Sequence, residues 1–261
     1  MDEQDVLYDE HAITFLEALW GNGYLSPGGP DEVRRLLDGV SLQDKVVLDI
    51  GCGSGGITVS LAKAYGAAKV IGIDVEAPVC LHARETAVKA NVADRVEIRQ
   101  VVPGKPIPVD DGTIDIVFSK DSIVHIPDKE KLAQDAFRLL RPGGWFVASD
   151  WLISHDDTPS PEMAQYIAME DLDFGMASPK RYQNALAQAG FTNIELKNRN
   201  RWYFETAVKE LDRMLGPERP EFEATVGKEG LAREIQLWEL MIVVLETGEH
   251  CPHHFKGQKP N

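Results

Sequence analysis

Residues 46–56 read Val46-Val-Leu-Asp49-Ile-Gly51-Cys-Gly53-Ser-Gly-Gly56. An apolar strand delivers Asp49 to its carboxyl end, and a glycine turn follows at once. Only glycine lets a chain reverse so tightly and bring backbone N–H groups against a ligand. Gly51, Gly53 and Gly56 satisfy G-x-G-x-x-G, which alone is a weak signal. That pattern commonly cradles a dinucleotide, whose pyrophosphate rests on the N-terminus of the following helix. Asp49 argues against such a ligand, because its carboxylate would face two phosphate charges. A ligand with a cationic end and no phosphate resolves the conflict.

The whole chain narrows the choice. Its 261 residues suffice for one large α/β domain, or for a domain with a substantial lid. The formal charge of −15 repels phosphate backbones and disfavours a nucleic-acid partner. No apolar run approaches the ~20 residues that cross a bilayer. The acidic start Met1-Asp-Glu-Gln-Asp5 lacks the basic and apolar regions of a signal peptide. Cys52, Cys80 and Cys251 are odd in number and contain no C-x-x-C pair, so a disulfide framework is not expected. A cytoplasmic protein acting on a small molecule, away from membranes, is the expectation.

Short apolar strands alternate with helical patterns, as a parallel sheet with crossover helices requires. Strands are expected at 45–50, 69–74, 96–101, 114–119, 144–150 and 193–198. Helices are expected at Ile57–Tyr65, Glu76–Ala90 and Lys129–Leu140, with Arg141-Pro-Gly-Gly144 turning the chain into the fifth strand. Trp238–Glu246 reads equally as a seventh strand or a buried helix segment. The tail Gly248–Asn261 reads as a loosely held extension. Four regions result: a cap or lid over 1–44, a Rossmann-like core over 45–150, a substrate-pocket insertion over 151–192, and residues 193–261. The last region completes the sheet and carries a helical insertion and the tail.

Asp74 closes the second strand, 18 residues after Gly56, where a carboxylate can accept hydrogen bonds from both ribose hydroxyls. That supports a nucleoside ligand of either kind. The glycine run resembles motif I of the class I methyltransferases that use S-adenosyl-L-methionine (SAM), whose sulfonium and ammonium supply the cationic end. Asp115-Ile-Val-Phe-Ser119 and Leu140-Arg-Pro-Gly-Gly-Trp-Phe-Val-Ala-Ser-Asp150 resemble the fourth- and fifth-strand motifs of the same class. The resemblance implies a mostly parallel seven-stranded sheet with helices on both faces and a helical cap. It also implies cofactor contacts from Leu25, Ser26, Asp49, Gly51, Gly53, Asp74, Val75 and Ser119. The acid that often follows the third strand to bind the adenine is missing from Arg99-Gln-Val-Val-Pro-Gly104, which leaves Gln100 or a backbone carbonyl for that contact.

Two further clusters are similar to segments of the phosphoethanolamine N-methyltransferase family. One runs from Tyr8 through Leu19-Trp-Gly-Asn-Gly-Tyr24-Leu-Ser-Pro-Gly-Gly29; the other is Ser119-Lys-Asp-Ser-Ile-Val-His-Ile126. The likeness covers roughly the first 150 residues. It implies that Tyr8 closes over the ligands and pairs with His125, and that Asp121 holds the substrate amine. It implies further that Ser26 reaches the methionine carboxylate and that Trp151 lines the substrate pocket. Read as side chains alone, Tyr8 is equally a packing residue and His125 a hydrogen-bonded core histidine. The chemistry agrees with the implied roles: a neutral amine must attack, His titrates near neutrality, and Trp151, Tyr166 and Tyr8 offer π-faces to methylated ammonium groups.

One departure bears on the substrate. The family clamps phosphate with Tyr-x-x-x-Arg-x-Tyr, whereas this chain has Tyr166-Ile-Ala-Met-Glu170-Asp-Leu172 at the aligned place. A glutamate repels a phosphate that an arginine would bind in bidentate fashion. Either Lys180, Arg181, Arg199 or Arg201 supplies the charge, or the acceptor carries no phosphate. The acidic run Glu170-Asp171-x-Asp173 fits the second option, and equally a solvated helix face. Cys251-Pro-His-His254 matches no common zinc spacing, and no metal is expected. The expected activity is SAM-dependent methylation of a small polar amine. Alternatives are a zwitterionic amino acid, a thiol or thioether, an acid or phenol methylated at oxygen, a silent SAM-binding protein, or an NAD-dependent oxidoreductase.

Overall fold

Val47 and Leu48 enter the cores on opposite faces of the sheet, and this alternation assembles the layers. The computed structural model describes residues 10–172 and 174–261. In chain order the elements begin with α1 (Glu10–Trp20), α2 (Gly29–Leu36), β1 (Val46–Ile50), α3 (Gly56–Lys63), β2 (Lys69–Asp74) and α4 (Ala77–Lys89). Next come β3 (Val96–Gln100), β4 (Ile114–Lys120), a 3-10 turn at Ile123–His125, α5 (Lys129–Leu139) and β5 (Leu140–Asp150). Finally come α6 (Pro161–Glu170), α7 (Pro179–Ala189), β6 (Thr192–Asn198), α8 (Asn200–Leu215), α9 (Arg219–Glu246) and β7 (His253–Gln258).

The seven strands lie in the order β3-β2-β1-β4-β5-β7-β6. The first five in that order are parallel, and β7 runs antiparallel to both β5 and β6. One face is covered by α2, α3 and α4 through Val33, Leu36, Leu61 and Ala83. The other is covered by α5 and α7 through Leu132, Ala136, Leu139 and Leu186. A third core, built by α1, α6, α8 and α9, gathers Phe15, Met163, Tyr203, Phe222 and Trp238 around Ile153, just past the end of β5. That helical layer therefore stands over the carboxyl ends of the strands, where an open α/β sheet binds its ligands. Among the described residues no helix is long and apolar enough to cross a membrane.

Local chemistry accounts for the starts of three helices. Asp128, Ser160 and Ser178 accept backbone N–H bonds from Lys131, Met163 and Arg181, capping α5, α6 and α7. Pro161 and Pro179 occupy first helical positions, where a missing N–H costs nothing. Arg141–Gly144 does not break off before β5 as a turn. The strand starts at Leu140, and its register against β4 shifts between Ile114 and Ile116.

The end of the chain departs most from expectation. Trp238–Glu246 is helical: Leu237, Trp238, Met241, Val244 and Leu245 are buried on one helical stripe of α9. The seventh strand instead comes from the segment read as a loose tail. His253–Gln258 is inserted between β5 and β6, with Phe255 paired to both Ala148 and Leu196. The physical reason is that its apolar content is small, while both of its backbone edges are satisfied by neighbouring strands. Cys251 and His254, in the run set aside as a poor metal site, are accordingly buried.

Candidate active site

The glycine turn after β1 lies at the point where strand order reverses between β1 and β4. A cleft of about 780 Å³ opens there, lined by Gly51, Gly53, Asp74, Val75, Val101 and His125 among others. Gly51, Gly53 and Gly55 all have positive φ, at 72°, 50° and 85°. A Cβ on Gly51 would fall 1.7 Å from Ser122 Oγ, so the turn leaves no room for any side chain there. Gly56 serves a different purpose. Its N–H donates to the Gly23 carbonyl at 2.9 Å, docking the segment before α2 onto the start of α3.

Two carboxylates surround this turn. Asp49 lies beneath it, 2 % exposed, and accepts a bond from Thr58 Oγ1 at 2.6 Å. Burial pushes the Asp49 carboxyl up to about 7, and the charge of Asp74 pushes the same way against the Thr58 bond. Asp74 lines the cleft and accepts from Gly53 N at 3.0 Å and Glu76 N at 3.1 Å. Burial raises its carboxyl too, against those backbone bonds. Each Asp74 oxygen keeps an acceptor direction for a ribose hydroxyl. Two acids at a turn that would otherwise cradle phosphate favour a cationic ligand, and the residues present fit SAM. Val101–Gly104 line the far part of the cleft. Gln100 does not: its Nε2 donates to the Val75 carbonyl at 3.0 Å.

Asp121 stands just past the end of β4, and the 3-10 turn that follows carries His125. Asp121 takes a left-handed backbone, φ 53°, which short polar residues tolerate. Its carboxylate accepts from Lys120 Nζ, Tyr203 OH and Ser149 Oγ, each at 2.7 Å. Burial opposes ionisation here, but the Lys120 charge and these bonds hold the Asp121 carboxyl below its ordinary value. Lys120 also donates to Ser26 Oγ and the Pro27 carbonyl, both at 2.8 Å. One buried ammonium thus ties the N-terminal segment to the sheet. His125 stands in the 3-10 turn, with Nδ1 2.7 Å from the Leu172 carbonyl. A carbonyl only accepts, so Nδ1 carries the proton and Nε2 is the basic nitrogen of the neutral ring.

Leu25 and Leu172 line this cleft and also a second cavity of about 330 Å³ beneath the helical layer. Phe15, Trp20, Trp151, Tyr203 and Trp238 give it aromatic walls. Among the described residues, four carboxyl groups, Glu170, Asp171, Glu210 and Glu234, line it against one cation, Arg233. Glu210 is 7 % exposed and is held by two indoles, Trp20 Nε1 at 2.7 Å and Trp238 Nε1 at 2.9 Å. Burial raises its carboxyl above the ordinary value. Glu170 is pushed up to about 7 by burial, against a hydrogen bond from Tyr166.

The expected residues are distributed unevenly around these spaces. Leu25, Ser26, Gly51, Gly53, Asp74, Val75, Asp121 and His125 line the cleft. Trp151 and Glu170 line the second cavity, while Tyr166 is fully buried and lines neither space. Ser119 is buried and donates to the Ile50 carbonyl at 2.8 Å. Tyr8 and Asp173 lie outside the described residues. The basic candidates for a phosphate clamp are engaged elsewhere: Arg181 with Glu130, Arg199 with Glu32, and Arg201 with Glu205. Neither these nor Lys180 lines the cavity.

Lys120, Tyr203, Glu210 and Arg233 escaped the sequence reading. For Tyr203 and Glu210 a signal existed, since a seven-residue spacing puts both on one face of α8. Nothing in the sequence said that this face meets Asp121.

A family profile described as a methyltransferase domain matches residues 41–208. The chain is 30% identical to phosphoethanolamine N-methyltransferase 3 of Arabidopsis thaliana over 94% of its own length and 49% of that protein. It therefore spans about half the length of this relative. It is 31% identical to sarcosine/dimethylglycine N-methyltransferase of Halorhodospira halochloris, covering 84% of this chain and 79% of that one. Phosphoethanolamine N-methyltransferase 2 of Haemonchus contortus, solved with phosphomonomethylethanolamine and S-adenosylhomocysteine, superposes with a TM-score of 0.89. That match covers 98% of this chain and 59% of the other at 24% identity, a likeness of fold.

Proposed function

The chain belongs to the methyltransferase-domain family, and on that premise we propose that it methylates the nitrogen of a small ammonium-bearing acceptor with SAM. The observation that carries this reading is the acidic, aromatic cavity that shares Leu25 and Leu172 with the glycine-turn cleft. Aromatic faces and a buried carboxylate attract ammonium groups, and methylated ones most readily. The name of the Halorhodospira relative supports an amino-acid acceptor of the sarcosine type. For such a zwitterion, Arg233 is the cation available to the carboxylate.

Bound SAM supplies an electrophilic methyl group. In-line displacement needs alignment above all, and the chain's own residues supply it. Asp74 and the glycine turn hold the nucleoside end, with Leu25, Ser26 and Val75 as further cofactor contacts. Asp121, kept ionised by Lys120, orients the acceptor nitrogen through the acceptor capacity left on Oδ1. His125 removes the proton through Nε2, so that a neutral amine attacks. Trp151 and Glu170 line the acceptor side, with Tyr166 holding Glu170. Tyr8 is proposed as the partner of His125 that closes over the ligands. The three free cysteines and the charge of −15 support action in a reducing cytoplasm on a small molecule, with no nucleic-acid partner.

A second reading is phosphoethanolamine as acceptor, favoured by the names of the plant relatives. It requires Arg233 to hold the phosphate beside Glu170, Asp171, Glu210 and Glu234. An assay with labelled SAM against N-methylated amino acids, simple amines, phosphoethanolamine, thiols and phenols separates these readings. Methylation of an amine, lowered about 10²–10⁴-fold by His125→Ala, is the expected result. Transfer only to a thiol or phenol, or NAD binding without any response to SAM, would overturn it.

A further inference from the structure

The turn that carries His125 is held by a set of buried charges that play no part in the scheme above. Asp150 ends β5 and is fully buried; its Oδ1 accepts from Val124 N at 2.9 Å. Lys129 opens α5, only 1 % exposed, and its Nζ donates to the Ile123 carbonyl at 2.7 Å. Tyr182 of α7 donates its hydroxyl to Asp150 Oδ2. Lys129 also stands 5.3 Å from the centre of the Tyr182 ring.

From the opposite side, the segment after α6 straps the same turn. Gly175 N donates to the Val124 carbonyl at 2.8 Å, and the Leu172 carbonyl takes the His125 Nδ1 proton. Phe174 meets the imidazole edge-on at 5.4 Å between ring centres. Gly175 is required at its place, since a Cβ there would lie 2.8 Å from Pro127 Cα. Consecutive backbone groups at Ile123 and Val124 therefore have partners outside their own turn, two of them charged side chains.

Such an arrangement is costly. Burying a lysine and a carboxylate forfeits hydration that their attraction restores only in part, and apolar residues of similar volume are often as stable. Burial drives the Asp150 carboxyl up and the Lys129 ammonium down from their ordinary values, each relieved by the other's charge. What apolar residues could not do is grip a backbone N–H and a backbone C=O on either side of one peptide.

We infer that Lys129 and Asp150 are positioning residues for His125, fixing the 123–125 turn so that the imidazole faces the seam between cleft and cavity. The inference rests on the proposed role of His125 as base. Neither residue touches acceptor or cofactor; both act through the backbone of the turn. Tyr182 keeps Asp150 in place and makes no bond to the turn itself.

The test compares Asp150→Ala, Asp150→Asn, Lys129→Met and Tyr182→Phe, with kcat expressed per SAM-binding site so that misfolded protein does not count. An asparagine still offers an oxygen to Val124 N, and an alanine offers nothing. Asp150→Ala and Lys129→Met should lower kcat about 10- to 100-fold, the scale of a misplaced reacting group, with KM for SAM little changed. Asp150→Asn and Tyr182→Phe should retain most of the turnover even where they lower the melting temperature. Equal kcat losses in Asp150→Ala and Asp150→Asn, following thermal stability, would overturn the inference. His125→Ala distinguishes its failure from that of the base assignment. If that variant is impaired while Asp150→Ala and Lys129→Met turn over normally, only the positioning role falls. If His125→Ala turns over normally, the base assignment falls and the positioning role with it.

Discussion

Tyr203 on α8 donates its hydroxyl to Asp121 Oδ2 at 2.7 Å, joining the helical layer to the end of β4 across 82 residues of sequence. The same side chain lines the second cavity, proposed above to hold the acceptor. One side chain thus forms part of the pocket wall and helps keep the Asp121 carboxylate ionised.

Removing that hydroxyl should act on both. Tyr203→Phe leaves a buried carboxylate short of one donor and should cost about 1–3 kcal/mol of stability. Asp121 is held below its ordinary value, so its contribution is present above about pH 4 and lost as pH falls through the lower folded value. Losing the Tyr203 bond raises that folded value, so the variant should unfold at a higher pH than the wild type. Acid titrations followed by circular dichroism check this.

Asp49 has the opposite sign. Its folded value, about 7, lies above the unfolded one, so the stability it contributes is full below about pH 4 and lost as pH rises through about 7. The ligand-free protein should therefore lose melting temperature between about pH 4 and 7, and Asp49→Asn should flatten that slope. A cationic ligand favours the ionised carboxylate. SAM binding should accordingly release a proton near neutrality in the wild type and less in the variant, as calorimetry in two buffers reads. Equal proton release in both proteins would contradict this.

Glu170 tests the acceptor's charge. Glu170→Arg places a guanidinium in the acidic cavity, where it should impair methylation of the native amine and improve any weak activity on phosphoethanolamine. Opposite signs of the two effects are the expected outcome. Efficient methylation of phosphoethanolamine by the unmodified protein, with Glu170→Arg neutral, would favour the phosphate reading.

Ending the chain at Gly248 tests the last strand. Because β7 pairs with β5 on one edge and β6 on the other, its removal exposes both, together with the pocket filled by Phe255. The shortened protein should lose cooperative unfolding and aggregate through the bared strand edges. A stable, active truncation would mean that the segment is dispensable.

The Asp49–Gly56 run, Asp74 and the spacing of five parallel strands were legible because each rests on local rules. Apolar alternation makes a strand, glycine makes the tight turn, and a carboxylate at a strand end meets a ribose. Asp121 and His125 were legible only through a resemblance, since neither residue type declares its role by spacing. β7 was hidden because HHFKGQ lacks the alternation that marks a strand; its pairing is decided by two edges far away in sequence.

The amino-acid sequence by itself determined the sheet's parallel half, the glycine turn and the acidic character that calls for a cationic ligand. Only the tertiary structure decided that Glu210 sits between Trp20 and Trp238, that Lys120 grips Ser26, and that Lys129 and Asp150 hold the His125 turn. These contacts join residues from separate elements. A buried charge finds its partner in whatever the packed fold brings within about 3 Å, which no local pattern encodes.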